Sequence, residues 1–282
     1  MNELIGKKYH IGDSAFSIQQ MRRFGFSAMP RPHSHSFYEL YYLLRGERVY
    51  FMNGKVYTAQ KGDMVIVIPN DLHSTASSQV EEFERVLVHV TPEFLPAEDR
   101  SILQLPPFRE STLLRAPLKE QAEIEHLLLQ MLAECREEQP FYPSYVRQLV
   151  LKLLIRLHRM NAHIPKSAHS DHPMHQKVSD ITAYIHEHYR EPLTLEQLAK
   201  IFFISPAYLS RVFLKLTGFH LGEYIRVVRI REAQKMLRSS REKVHLIAEQ
   251  VGFEHISHFN KTFKKLTGFS PLHYRKQHKD RG

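Results

Sequence analysis

The stretch Phe213–Arg226 reads FLKLTGFHLGEYIR, and fifty residues later Phe263–Lys276 reads FKKLTGFSPLHYRK. Two copies are too few for a solenoid, which needs at least three stacked units, so the repeat marks a duplicated working part. The residues ahead of each copy say what the part is. Thr194 followed by Gln197 is a capping box, and it opens a short helix with Leu195, Leu198 and Ala199 on one face. A turn at Phe202–Ile204 follows. Ser205–Pro206 then supplies an N-cap and a first-turn proline for a second helix carrying Leu209, Val212, Phe213 and Leu216, stopped by Gly218. The second copy repeats the plan, with Ile247 and Ala248 in the first helix, Gly252 in the turn, and Phe259, Phe263 and Leu266 on the buried face before Gly268. One helix over Tyr224–Leu237 links the copies. Short helix, tight turn and second helix make a helix-turn-helix, present here twice.

Charge assigns this half a partner. Residues 1–175 hold 20 Lys and Arg against 20 Asp and Glu, whereas residues 176–282 hold 19 against 10, so the whole +9 excess lies in the repeated part. That distribution predicts a polyanion-binding module joined to a neutral one. The faces left free by the apolar spacing carry Ser205, Ala207, Tyr208, Ser210, Arg211 and Lys215 in the first copy. In the second they carry Ser257, His258, Asn260, Lys261 and Lys265. Arg and Asn can bond base edges two-pronged, and Lys serves bases or phosphates. Double-stranded DNA is the predicted partner, each second helix entering a major-groove segment about one turn, roughly 34 Å, from the other.

Residues 178–278 resemble the AraC/XylS family of bacterial transcription regulators. AEQVGFEHISHFNKTFKKLTGFSPLHYR follows that family's C-terminal signature, and ISPAYLSRVFLKLTG matches its first helix-turn-helix. The resemblance implies that the second helix of each unit meets DNA, with Arg211 and Lys261 at matching positions. Two departures stand out. Phe202–Phe203 occupies a turn usually built from smaller residues, which predicts extra packing there, and Glu254 stands at a cap position usually given to Ser.

The first half reads as strands. FYELYYLL, RVYFMNGKVYTA, DMVIVIP and RVLVHV, between Phe37 and Val90, are rich in β-branched and aromatic residues, and Asn53–Gly54 is a strong hairpin signal. Two amphipathic helices follow, one on Ile124, Leu127, Leu128, Met131, Leu132 and Cys135, the other on Val146, Leu149, Val150, Leu153, Leu154 and Leu157, parted by Pro140 and Pro143. Such a hairpin packs either on the sheet or on its twin in a second subunit. Asn161–Gln176, with Pro, Ser, Asn, Asp and four histidines (His163, His169, His172, His175), reads as a linker.

HSHSFYELYYLLRG places His33, His35, Glu39 and Gly46 in the spacing H-x-H-x3-E-x6-G, and GDMVIVIPNDLHS adds Gly62, Pro69 and His73. These resemble the two motifs of the cupin β-barrel, with the first lacking its leading glycine and the second one residue short. Period-two alternation puts His35, Phe37, Glu39, Tyr41 and Leu43 on one face, so the polar members point together into the barrel. In metal-binding cupins the residues matching His33, His35, Glu39 and His73 hold an ion, and three imidazoles with one carboxylate suit iron, manganese, zinc or nickel. The same residues with Tyr41 suit a hydrogen-bonding lining for a small organic ligand, for which the resemblance suggests a sugar, with no cofactor required.

The predicted fold is α+β: a cupin-like β-barrel with a helical hairpin over 1–160 (hairpin about 117–160), a linker over 161–176, and an all-α double helix-turn-helix over 177–282. The leading function is a cytoplasmic, sequence-specific transcription regulator whose barrel senses a small molecule, working as a homodimer with RNA polymerase and without a membrane. An alternative is a metal-dependent cupin enzyme tethered to a DNA-binding domain, and a third is an architectural DNA binder without sequence choice. No signal-peptide core and no apolar run of membrane-spanning length is present, and the single Cys135 fits a reducing compartment.

Overall fold

A computed structural model describes residues 4–29, 31–162 and 172–279. The chain divides into two compact units after Gln176.

In the first unit the described strands are β1 (Leu4–Ile5), β2 (Tyr9–Ile11), β3 (Phe16–Phe24), β4 (Tyr38–Met52), β5 (Lys55–Gln60), β6 (Asp63–Val67), β7 (His73–Ser77), β8 (Glu82–Val90) and β9 (Thr112–Arg115). All pair antiparallel in the order β1-β3-β8-β4-β6-β9, with β2 on β3 and both β5 and β7 on β4. The two strand runs expected at FYELYYLL and RVYFM are one 15-residue strand, β4. It stays continuous because a register shift between Leu43 and Arg45 bends it from one sheet layer to the other. Gly46 is required at that bend: its φ is +84°, and a Cβ there would strike the Glu82 carbonyl oxygen. The Asn53–Gly54 hairpin forms as expected, both residues at positive φ between the paired Met52 and Lys55. Strands β1, β2, β3, β7 and β9 have no counterpart in the sequence reading, being short, polar or outside the Phe37–Val90 window.

Two helices, α1 (Leu118–Glu137) and α2 (Tyr142–Asn161), cover the outer face of the barrel. Ile124, Leu127, Leu128 and Met131 of α1 and Val146, Val150, Leu153 and Leu157 of α2 are buried in one core with Phe16, Ile18, Leu40 and Tyr42. Of the two packings open to the hairpin, its apolar stripes take the barrel of their own chain. Each such buried side chain is worth about 1.5–3 kcal/mol, which outweighs the half-exposed Arg156–Glu120 pair between the helices. The Tyr42 hydroxyl donates to Glu125 Oε1 at 3.0 Å and fixes the rotation of α1 on the sheet.

Within the expected linker, His163 and His169 lie outside the described residues. Its last four residues are helical, because α3 (Pro173–His188) starts at a proline suited to a first helical turn.

The second unit continues with α4 (Leu195–Ile201), α5 (Pro206–Thr217), α6 (Leu221–Ser239), α7 (Val244–Gln250), α8 (Ile256–Thr267) and α9 (Pro271–Lys279). The Thr194–Gln197 capping box is formed from both sides. Tyr208 N–H donates to Ser205 Oγ, the expected cap of α5. Phe259 and Phe263 of α8 pack with Ile230, Ala233, Ile247, Ala248, Val251 and Tyr274. Leu266, expected on that buried face, is exposed, since the core stripe of α8 ends at Phe263. The residue capping α8 is His255, not Glu254, and it makes no side-chain cap.

Of the packing expected at Phe202–Phe203, the half-buried Phe202 supplies an edge-on contact with Tyr184 at 5.9 Å, and Phe203 supplies none. It is 92% exposed and makes no extra core, at a φ of +53°. It occupies the left-handed turn position that Gly252 fills in the second copy, where a Cβ would meet Arg190 O at 2.7 Å. A left-handed non-glycine residue costs about 1–2 kcal/mol, and glycine's extra chain entropy returns about 0.5–1 kcal/mol of that. Phe203→Gly is therefore expected to stabilise this unit by about 0.5–1 kcal/mol, read as a higher thermal midpoint. An unchanged or lower midpoint would mean that the ring stabilises the turn.

Candidate DNA-binding helices and sensor site

On α5 and α8 the side chains between the buried ones face outward. Ser205, Ala207, Tyr208, Arg211 and Lys215 are exposed and Ser210 is half-buried, while Ser257, His258, Asn260, Lys261 and Lys265 are all exposed. The reason is helical geometry: with Leu209 and Phe213, or Phe259 and Phe263, turned to the core, the neighbouring residues must point away. Arg211 lies 5.5 Å from the Tyr208 ring, which props its guanidinium on the outer face.

In the barrel, His33, His35 and His73 bring one ligand nitrogen each within 4.8 Å of one another. Backbone hydrogen bonds set this up: His33 and His73 pair in both directions (3.1 and 3.0 Å), and Asn70 N–H donates to His35 O. Glu39, 5% exposed on the inward face of β4, sits beneath them. Its Oε2 is 3.5 Å from His35 Nε2 and its Oε1 is 3.9 Å from His73 Nε2. A fifth member, outside the two spacing motifs, is His89 of β8, directly across the ladder from Glu39, whose Nε2 donates to Glu39 Oε2 at 3.2 Å. The signal was available in RVLVHV, where His89 shares the inward parity of Arg85 and Leu87.

His35 Nδ1 lies 2.9 Å from Phe37 O and His73 Nδ1 lies 3.1 Å from Asp71 O. A carbonyl only accepts, so Nδ1 carries the proton in both rings and each Nε2 is left with a lone pair. Both Nε2 atoms are buried with no hydrogen-bond partner. Burial lowers the pKa of His33, His73 and His89, partly countered by Glu39, so the neutral rings are favoured. Burial alone would raise Glu39, but the hydrogen bond from His89 and the surrounding imidazoles hold its carboxyl well below the usual range.

The fifth sensor candidate, Tyr41, follows Glu39 on the same face, 3% exposed, edge-on to Tyr50 at 5.2 Å. Burial raises its pKa to about 12, so the phenol keeps its proton.

Fold and site together define a class: a ligand-binding β-barrel joined to a double helix-turn-helix unit. Residues 25–154 match the model described as an AraC-like ligand binding domain and residues 198–277 the one described as a helix-turn-helix domain. The chain belongs to the AraC family of transcriptional regulators.

Among its relatives, the uncharacterized HTH-type transcriptional regulator YfiF of Bacillus subtilis (strain 168) is 27% identical over 88% of this chain and 79% of its own length. The arabinose operon regulatory protein of Salmonella typhimurium is 27% identical over 87% of this chain and 85% of its own. The bifunctional transcriptional activator/DNA repair enzyme AdaA of Bacillus subtilis (strain 168) is 38% identical over 38% of this chain, which spans 54% of that protein. Among the described residues no helix is long and apolar enough to cross a membrane.

Proposed function

We propose that this chain is an effector-responsive regulator, not an enzyme, that reads two short DNA elements with α5 and α8 while its barrel senses a small molecule. The observation that carries this reading is the pair of helices α5 and α8, each core-facing on one side and polar and basic on the other. Effector must bind two domain arrangements with different affinity, since equal binding shifts nothing. Arg211→Ala is expected to cost about 1–3 kcal/mol at a preferred site and to relax choice at one base pair. Equal weakening on every DNA would assign Arg211 to phosphate. Removing Lys264 or Lys265 should weaken binding generally and reduce the salt slope by about one. An unchanged slope would place those lysines off the DNA.

The His33, His35, His73 and Glu39 cluster fits a divalent metal ion. Two buried lone pairs and a carboxylate converge with no proton donated between them, an arrangement that a cation relieves. Those four residues would hold the ion, with His89 orienting Glu39, and the ion would supply a Lewis-acidic anchor for an oxygen of the effector. Metal analysis of the purified chain should find about one ion per chain without turnover. A metal-dependent oxygenation or isomerisation by the barrel would instead support the enzyme reading.

The working unit we propose is a homodimer, joined through the outward side of the α1–α2 hairpin, where Leu129, Phe141 and Tyr145 stay exposed, and engaging RNA polymerase at the promoter. A single-chain mass in sedimentation at micromolar concentration would contradict the dimer.

A further inference from the structure

A second polar cluster lies on the inward side of the same barrel, and neither the metal nor the DNA reading uses it. Arg48 of β4 is 4% exposed and Arg85 of β8 is 8% exposed. Ladder pairing sets Arg48 opposite Ser77, Tyr50 opposite Thr75, and Arg85 opposite Leu43, two residues along β4 from Tyr41. Both guanidinium charges bear on the Tyr41 phenol, and Arg85 stands 5.5 Å from its ring.

Among the described residues neither arginine is ion-paired with a carboxylate. Arg48 Nη1 donates only to neutral acceptors, Ser27 O, Ser27 Oγ and Ser77 Oγ, at 3.1, 3.2 and 2.9 Å. Arg85 Nη2 reaches Gln19 Oε1 at 3.4 Å and the Met21 sulfur at 3.9 Å, both weak. Four buried polar atoms here have no partner: Arg48 Nε, Arg85 Nη1, Tyr41 Oη and Thr75 Oγ1. Each of these groups can donate a hydrogen bond.

A buried cation is tolerated when an anion answers it, and these two are answered by neutral oxygens, a thioether and the faces of Phe83 and Tyr41, 4.4 and 5.5 Å away, with no carboxylate against either guanidinium. Planar guanidinium forks match carboxylate and phosphoryl oxygens two-pronged, and the two hydroxyls add donors for the remaining lone pairs. A neutral sugar would leave both charges unanswered. We propose that the barrel takes an organic oxyanion, a carboxylate or a phosphoryl group, between Arg48 and Arg85, with Tyr41 and Thr75 completing its hydrogen bonds. The inference rests on the reading of the barrel as the sensor and narrows its effector to an anionic molecule.

The test is the thermal midpoint of the full-length chain with inorganic phosphate, gluconate, glucose 6-phosphate or glucose, each against sodium chloride at equal ionic strength. Inorganic phosphate and at least one of the charged sugars should raise the midpoint where glucose does not, and which one does so distinguishes carboxylate from phosphoryl. Arg48→Gln and Arg85→Leu should each remove most of that shift, leaving only the part due to the basic helical unit. Arg85→Leu also deletes an unanswered buried charge, so its ligand-free midpoint should match or exceed that of the parent, which separates lost binding from lost folding. A shift that persists in both variants, or the absence of any shift beyond sodium chloride, would overturn the site. DNA affinity measured with the same ligands keeps the two ideas apart: Arg-dependent binding that leaves DNA affinity unchanged supports the site and contradicts the sensor reading.

Discussion

Replacing Phe263 with alanine should destabilise the second helix-turn-helix by about 3–5 kcal/mol, the cost of deleting a fully buried aromatic ring and leaving its cavity. Phe263 is fully buried between Phe259 of its own helix and Tyr274 of α9, with ring centroids 5.6 and 5.4 Å away. Helix α8 has no side-chain N-cap, so tertiary packing supplies most of what orders it. A domain's total stability is about 5–15 kcal/mol, and a loss of this size removes a large share of it. The expected result is a lowered or split thermal transition and loss of contact with one of the two DNA elements, while the barrel keeps its ligands. Retention of both elements with an unchanged melt would show that α8 is held by something other than this core.

Glu39→Gln should have an effect of similar size on the barrel. The substitution keeps the shape and removes the charge toward which His35, His73 and His89 converge. If the cluster holds a divalent ion, metal content should fall at least tenfold from about one ion per chain, since even residues that only orient metal ligands change affinity by about 10–100-fold. His89→Gln, which disturbs only the orientation of Glu39, should weaken the site less than Glu39→Gln. Full metal content in both variants would mean that Glu39 is not a ligand, and the cluster would then be a hydrogen-bonding surface.

The second half was legible because its chemistry is local. The Thr194 capping box, the Ser205–Pro206 helix start and the Gly218 and Gly268 stops each act within one helical turn, so the sequence alone exposes them. What escaped there depended on tertiary geometry. Phe203 reads as an apolar residue seeking a core, yet the turn needs a left-handed residue at that place and leaves the ring outside. Leu266 follows the helical spacing but lies past the end of the packed stripe.

The barrel was legible in its motifs and less so in its interior. His33, His35, Glu39 and His73 carry a readable spacing, whereas His89, Arg48 and Arg85 join the interior only through strand pairing over long separations. Glu39 meets His89 across the β4–β8 ladder, fifty residues apart in the chain. Parity along a strand says which side chains share a face but not which strand lies opposite, and the bend in β4 hides even the parity between Glu39 and Arg48.

Reading of two DNA elements by one chain, through α5 and α8, is the property on which the proposed function turns. The most direct test is to incubate the full-length protein with a random DNA pool at moderate salt, recover the bound fraction and sequence it. Two short enriched motifs about one helical turn apart are the expected result, each losing its enrichment when Arg211 or Lys261 is replaced by alanine. Strong, salt-dependent binding with no enriched motif would contradict it and leave an architectural DNA binder in its place.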